Sequence, residues 1–110
     1  MRIVEKPWGF ELIWAETDKY VGKLLHIHPN QRLSLQYHRE KEETVYVIEG
    51  ILLNYTDEES PPQRIPQGQS FHVKPNQVHR FGAGEEHVEL IEVSTPYLDD
   101  VVRLADDYKR

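Results

Sequence analysis

Four side chains in two segments of the chain have the types and spacing of a metal site. Gln36 and His38 are two residues apart in an alternating run, and Glu43 follows across a polar turn. His79 comes later, after a turn marked by Gly and Pro. If the strands pair, the four groups converge inside a barrel. Two imidazoles, a carboxylate and an amide oxygen suit a divalent metal ion (Zn, Mn, Co, Ni or Fe), which polarises a bound small molecule as a Lewis acid.

The same spacing also permits an ordinary structural role. A His in a strand is commonly a hydrogen-bonded polar residue, and the position of Glu43 also suits an acid exposed to solvent. His26 and His28 are also two residues apart in a strand-like run, but no Glu follows at the hairpin distance, so we expect a structural or surface role for them. His72 and His87 stand alone in their strands and are expected to be satisfied polar residues.

Composition restricts both the site and its partners. The 110 residues fit one domain, residues 1–110. Cys is absent, so disulfides and thiolate ligands are excluded and a transition-metal site needs His, carboxylate or amide groups. The formal net charge of -6 argues against nucleic acid and anionic membranes as partners. No long apolar run or signal-peptide core is visible, which favours a cytoplasmic location.

Short runs rich in Val, Ile, Leu, Tyr and Phe, separated by turn residues, predict an all-β sandwich or barrel. The runs are 10–14, 21–27, 32–38, 44–48, 51–55, 70–73, 78–81 and 87–93. Within 32–38, alternation places Arg32, Gln36 and His38 on one face. The end of the chain differs, because apolar positions from Leu98 to Tyr108 and the acidic pair at its start predict a short C-terminal helical segment.

The spacing also resembles the two conserved boxes of the cupin superfamily. The matching positions are His38, Glu43, Gly50, Gly68, Pro75 and His79. The first box usually begins with a His where this chain has Gln36, and the second usually ends with an Asn where it has Ala83. These departures point to a particular branch of the superfamily.

The run from Pro29 to His38 resembles the RLSLQ-x-H signature of type II mannose-6-phosphate isomerases, in which Gln is the normal residue before the His. Further matches to that family are Lys6-Pro7-Trp8-Gly9, 68–80, 90–93, 97–103 and 106–108, so the likeness covers nearly the whole chain. In many relatives this domain is the C-terminal part of a bifunctional enzyme whose other part is a mannose-1-phosphate guanylyltransferase. That part does not occur in this sequence, so we expect a stand-alone form without GTP chemistry.

The resemblance implies a cupin double-stranded β-helix, a jelly-roll barrel, that is usually a homodimer. It implies that a divalent metal ion is held at the matching positions Gln36, His38, Glu43 and His79. The implied reaction interconverts mannose 6-phosphate and fructose 6-phosphate through a cis-enediol, with a sugar phosphate as the small-molecule substrate.

Two residues are candidates for catalysis. Arg32 matches an Arg implicated in catalysis in the family, and it is expected to clamp phosphate or to steady developing charge. Glu40 and Glu42 both lie near the proposed ligands in the sequence, so the sequence does not identify the general base, and Glu40 is taken as the candidate. Arg80 follows His79 directly and is therefore expected to point to the opposite face, at the surface.

Departures from the family pattern near the site leave other functions open. Relatives are often His-rich after the first ligand and carry His-Trp after the Glu. This chain has Arg39 and Glu40, and Thr44 and Val45, at these places. The alternatives are a non-catalytic cupin that binds a sugar or a small acid, and an iron-dependent oxygenase, because the same ligand set permits each of them.

Overall fold

The computed structural model describes residues 1–110 and contains eleven strands and no helix. The strands are β1 (Arg2–Lys6), β2 (Gly9–Glu16), β3 (Val21–Ile27), β4 (Leu35–Tyr37), β5 (Glu43–Glu49), β6 (Ile51–Tyr55), β7 (Gln63–Pro66), β8 (Ser70–Val73), β9 (Arg80–Gly82), β10 (Val88–Ser94) and β11 (Val102–Ala105). The all-β prediction is confirmed. No segment forms a helix with the length and apolar character needed to span a bilayer.

The strands form two layers in which all pairs are antiparallel. One layer is a six-stranded sheet in the order β1-β2-β3-β10-β5-β8. The other is built from the sheets β7-β6-β9 and β11-β4. Isolated bridges from Arg32 to Gly82 and from Gln36 to His79 connect these two small sheets into one continuous layer.

The chain passes from one layer to the other at Gly50. β5 ends at Glu49 in the large sheet, and β6 begins at Ile51 in the second layer. Gly50 has a φ of +85°, which other residues adopt with strain, and an added Cβ would lie 2.5 Å from the carbonyl oxygen of His87.

The inward face of the large sheet is apolar at one end. Leu90 in the middle of β10 lies opposite Leu25 on one side and Val47 on the other, and all three are almost completely buried. These residues belong to a core cluster formed by Trp8, Leu25, Ile27, Leu33, Val45, Val47, Leu52, Ile65, Val73, Phe81, Ala83, Val88 and Leu90. Burial of this cluster supplies the main driving force for closing the two layers on each other.

At the other end, the inward positions of the same strands carry ionisable and polar side chains. Glu92 of β10 lies opposite Lys23 of β3, and Ser94 of β10 lies opposite Glu43 of β5. All four residues are buried. The space between the layers therefore has an apolar end and a charged end.

The predicted C-terminal helical segment is wrong. Val102–Ala105 forms strand β11, which pairs with β4, and the β-branched Val101 and Val102 favour this extended conformation. The Asp100 carboxylate does not stabilise a helix N-terminus. It accepts hydrogen bonds from the backbone N–H groups of Arg39, Glu40 and Lys41 at 3.0, 2.7 and 2.9 Å.

The surface position expected for Arg80 is also wrong. Its side chain is only 2% exposed, because the C-terminal segment covers the outer face of β9. The Arg80 Nε donates a hydrogen bond to the Leu33 carbonyl at 2.8 Å, and Nη2 donates one to the Ala105 carbonyl at 3.3 Å. Arg80 thus ties the C-terminal segment to the second layer.

Substitution Asp100→Ala should lower the free energy of unfolding by about 1–2 kcal/mol, the cost typical of losing a carboxylate that caps backbone N–H groups. Urea unfolding at pH 7 measures the change. The matched control is Asp99→Ala, because the Asp99 side chain accepts none of these bonds. An equal loss in both variants would contradict the role assigned to Asp100.

The effect of Asp100→Ala should also depend on pH. The N–H groups of Arg39, Glu40 and Lys41 hold the pKa of Asp100 at about 2, below its ordinary value of 3.8. A carboxyl group whose pKa is lowered by folding contributes its full stabilisation above the unfolded pKa and loses it as the pH falls through the folded pKa. The difference between wild type and variant should therefore narrow between pH 4 and about pH 2.

Candidate metal centre

Pairing between β4 and the segment before β9 brings the sequence-predicted ligands together. Gln36 and His79 exchange two backbone hydrogen bonds, each of 2.9 Å. His38 follows β4, and Glu43 is the first residue of β5. The side-chain donor atoms of His38, Glu43 and His79 all lie within 4.8 Å of one another, and all three residues are buried. This group could hold a metal ion.

Backbone carbonyls orient both imidazoles. The His38 Nδ1 donates to the Asp100 carbonyl oxygen at 2.5 Å, and the His79 Nδ1 donates to the Gln77 carbonyl oxygen at 3.0 Å. With a proton on each Nδ1, the Nε2 lone pairs are free. Both Nε2 atoms face Glu43 Oε1, at 3.6 Å from His38 and 3.2 Å from His79. Hydrogen bonding of one ring nitrogen to a carbonyl fixes the tautomer that metal-binding His residues use.

The Glu43 carboxylate is ionised despite its burial. Burial alone would raise its pKa, but the imidazoles of His38 and His79 beside one oxygen, together with the charge of Lys41 beside the other, hold the pKa of Glu43 well below its usual range. Lys41 Nζ lies 3.2 Å from Glu43 Oε2, on the side of the carboxylate away from the imidazoles. One oxygen of Glu43 therefore faces the imidazole nitrogens and the other is paired with an ammonium group.

A second carboxylate, Glu92, shares the same lysine. Lys41 Nζ lies 3.0 Å from Glu92 Oε2 and 3.2 Å from Glu43 Oε2. Burial and the nearby Glu43 carboxylate raise the pKa of Glu92 to about 7, against the opposing charges of Lys41 and Lys23. Although burial would lower the pKa of Lys41, the Glu92 and Glu43 carboxylates raise it above its ordinary value.

These groups line a cavity of about 420 Å³ at the charged end of the barrel. Lys23 forms an ion pair with Glu11 across neighbouring strands at 3.3 Å. Lys6 of β1 and Arg103 of β11 also line the cavity, and neither forms an ion pair. The cavity thus combines buried acids with two unpaired cations, and its volume suits a small-molecule ligand.

The two residues predicted to be catalytic do not line this cavity. Arg32 forms a bidentate ion pair with Asp107, at 2.7 and 3.0 Å, and its guanidinium lies over the Tyr55 ring. Glu40 is exposed in the turn that Asp100 caps. Alternation along 32–38 did not place Arg32 with Gln36, because β4 begins only at Leu35. Neither catalytic assignment has support in this geometry.

Conversely, the sequence reasoning missed several groups in the cavity. Lys23, Lys41 and Glu92 were not among the predicted site residues, yet all three are buried and line the cavity. A usable signal exists in β10, where Val88, Leu90, Glu92 and Ser94 share one face. An acid on the apolar face of an alternating strand indicates a buried carboxylate with a specific partner.

Comparison with protein families finds a match over almost the whole chain. Residues 1–106 match the family model described as mannose-6-phosphate isomerase C-terminal. The chain is 33% identical over 114 residues to mannose-1-phosphate guanylyltransferase of Escherichia coli, covering 99% of this chain and 23% of that protein. It is 32% identical over 111 residues to the alginate biosynthesis protein AlgA of Pseudomonas aeruginosa, covering 97% and 23%. The chain thus spans less than a quarter of the length of these relatives.

Solved structures show the fold. A protein of Klebsiella pneumoniae with a double-stranded β-helix domain superposes with a TM-score of 0.77 at 21% identity, covering 94% of this chain and 84% of that one. A sugar phosphate isomerase of the cupin superfamily from Silicibacter pomeroyi superposes with a TM-score of 0.68 at 21% identity, covering 80% and 59%. The chain is a cupin double-stranded β-helix and belongs to the family of mannose-6-phosphate isomerase C-terminal domains.

Proposed function

We propose that this protein is a metal-dependent aldose-ketose isomerase that interconverts mannose 6-phosphate and fructose 6-phosphate. The observation that carries the proposal is the His38–Glu43–His79 group inside a cavity of about 420 Å³ that also contains unpaired cations. The family and the sugar phosphate isomerase among the structural neighbours support the same substrate class. The proposal includes the homodimer implied by the family resemblance.

The donor set fits a divalent ion. Two imidazole nitrogens and one carboxylate oxygen face one another, and the amide of Gln36 lines the same cavity. These four residues would hold Zn, Mn, Co, Ni or Fe and leave positions for substrate. When bound, such an ion would polarise the sugar carbonyl and stabilise the negative charge of the enediolate. The ammonium group of Lys41 pairs with Glu43 Oε2, so that Oε1 stays directed toward the imidazoles.

The remaining cavity residues bind and orient the sugar phosphate. Arg103 and Lys6 have no acidic partner, so their charges are available for the phosphate group. The Glu92 carboxylate lines the cavity and would accept a hydrogen bond from a sugar hydroxyl. Isomerisation then moves one proton between C1 and C2 while the carbonyl and hydroxyl groups exchange places, so no oxidant or co-substrate is required.

The metal equivalent of the cavity and the activity should be lost together when a proposed ligand is removed. In Glu43→Gln and His38→Ala, bound metal after loading should fall by one equivalent. Conversion of mannose 6-phosphate to fructose 6-phosphate should fall by at least about 100-fold, since changes to outer-shell partners alone cost 10–100-fold. Elemental analysis and a coupled assay for fructose 6-phosphate measure the two quantities. Glu40→Gln, the matched control, should keep both, because Glu40 is exposed outside the cavity.

Each outcome of this experiment has a distinct meaning. Metal-loaded wild type that makes no fructose 6-phosphate would refute the isomerase while leaving the metal site intact, and would favour the sugar- or acid-binding alternative. Iron-dependent oxygen uptake with a candidate substrate would favour the oxygenase. Equal metal content in wild type and in His38→Ala would refute the metal site itself. Loss of activity in Glu40→Gln would restore the role predicted for Glu40.

Arg103→Ala should raise the KM for mannose 6-phosphate by roughly 10- to 100-fold with a smaller change in kcat. A charge-assisted hydrogen bond to phosphate contributes about 1.5–3 kcal/mol, and each 1.4 kcal/mol is tenfold in binding. Steady-state kinetics with Arg32→Ala provide the comparison, because Arg32 is paired with Asp107 outside the cavity and should have little effect on KM. A larger effect from Arg32→Ala would reverse the assignment of the two arginines.

A further inference from the structure

A second group of imidazoles lies on the outer face of the six-stranded sheet. His26 of β3 is directly opposite Glu89 of β10. His28 and His87 are one residue beyond the last register pair, Ile27 with Val88, so they are opposite each other at the same end of these strands. Ile27 and Val88 point into the core, and the alternation of side chains therefore directs His26, His28, His87 and Glu89 outward.

The His26 imidazole contacts both of the others. The His26 ring lies 5.0 Å from that of His87 in a stacked arrangement, and 5.2 Å from that of His28 edge to face. Phe10 of β2 stacks on His26 at 5.1 Å and supports the group from the neighbouring strand. Half of the six His residues of the chain are thus gathered in one patch, well apart in the sequence from the ligands of the cavity.

Two carboxylates orient these rings. His26 Nδ1 lies 3.2 Å from Glu89 Oε2, and His87 Nε2 lies 3.2 Å from Glu49 Oε1. In the neutral tautomer that donates to the carboxylate, the lone pair is on His26 Nε2 and on His87 Nδ1. A His that donates one ring N–H to a carboxylate and offers its other nitrogen is the arrangement found around bound transition metals.

We propose that His26, His28 and His87 form a surface binding site for a transition-metal dication such as Zn²⁺, Ni²⁺ or Cu²⁺. Imidazole nitrogens are the donors these ions prefer, and the carboxylates Glu89 and Glu49 compensate the positive charge. The donor atoms are less closely gathered than those of the cavity group, so binding requires rotation of the imidazoles about χ2, a soft torsion. His28 is exposed and His87 is partly exposed, which leaves room for that rotation.

This site is independent of the proposed isomerase activity. A metal ion here would link β3 to the segment that precedes β10, and it would stabilise the folded protein by mass action without contacting the cavity residues. The signature is therefore an additional equivalent of bound metal and a metal-dependent rise in Tm that persist when the cavity ligands are disabled.

Zinc titration calorimetry on the full chain tests the proposal. The double variant His26→Ala, His87→Ala should bind one equivalent less than its parent, both in the wild-type background and in Glu43→Gln. His72→Ala is the matched control, because His72 pairs with Glu42 away from the patch, and it should bind as wild type does. Glu89→Gln should raise the Kd of the surface site by about tenfold. Unchanged stoichiometry and affinity in the double variant would overturn the proposal.

A measurement on the unmodified protein removes any dependence on the folding of the variants. Ni²⁺ added beyond the one equivalent that the cavity group takes up should broaden the imidazole NMR signals of His26, His28 and His87, while the His72 signals stay sharp. Sharp signals from all three patch residues after saturation with Ni²⁺ would contradict a surface site. Broadening confined to His38 and His79 would assign all metal binding to the cavity and would equally refute the proposal.

Discussion

A buried, ionised carboxylate is the constraint around which the charged end of this barrel is built. Removing the charge of Glu43 from water carries a large desolvation cost unless positive or donor groups surround it. Lys41 lies on one side of this carboxylate and two imidazoles lie on the other, so both oxygens have partners. The arrangement leaves Lys41 shared between Glu43 and Glu92, so one ammonium group serves two buried carboxylates. Burial and the charge of Glu43 therefore raise the pKa of Glu92 to about 7.

The same constraint explains why the C-terminal segment matters to the site. His38 can present Nε2 to Glu43 only while its Nδ1 donates to the Asp100 carbonyl, and the Asp100 carboxylate holds the turn that carries Lys41. Strand β11 and the contacts of Arg80 fix this segment against the second layer. The C-terminal segment thus orients His38, one proposed metal ligand. It also holds the turn that carries Lys41, the cation beside Glu43, a second proposed ligand.

Local pattern was a good guide to the strands and to the grouping of His38, Glu43 and His79, because side-chain alternation and hairpin spacing are properties of the chain itself. It failed where a distant segment decides the environment. Arg80 is buried because β11 covers its strand. Arg32 lies outside the cavity, where it pairs with Asp107 of the C-terminal segment. The helix expected after Leu98 yields to pairing with β4, since the edge of a sheet offers hydrogen bonds that a short helix in water does not recover.

Two pairs of residues show that spacing in the sequence does not indicate which pair lies in the cavity. His26 and His28 are two residues apart in a strand-like run, as Gln36 and His38 are, but they project from the outer face of the large sheet. Glu89, the carboxylate beside His26, is partly exposed and its charge is screened by water, whereas Glu43 is enclosed and its charge is screened much less. Metal binding in the cavity would draw on preorganised donors, while binding at the surface would also have to offset the ordering of three side chains. The cavity group should accordingly bind the same ion more tightly than the surface group.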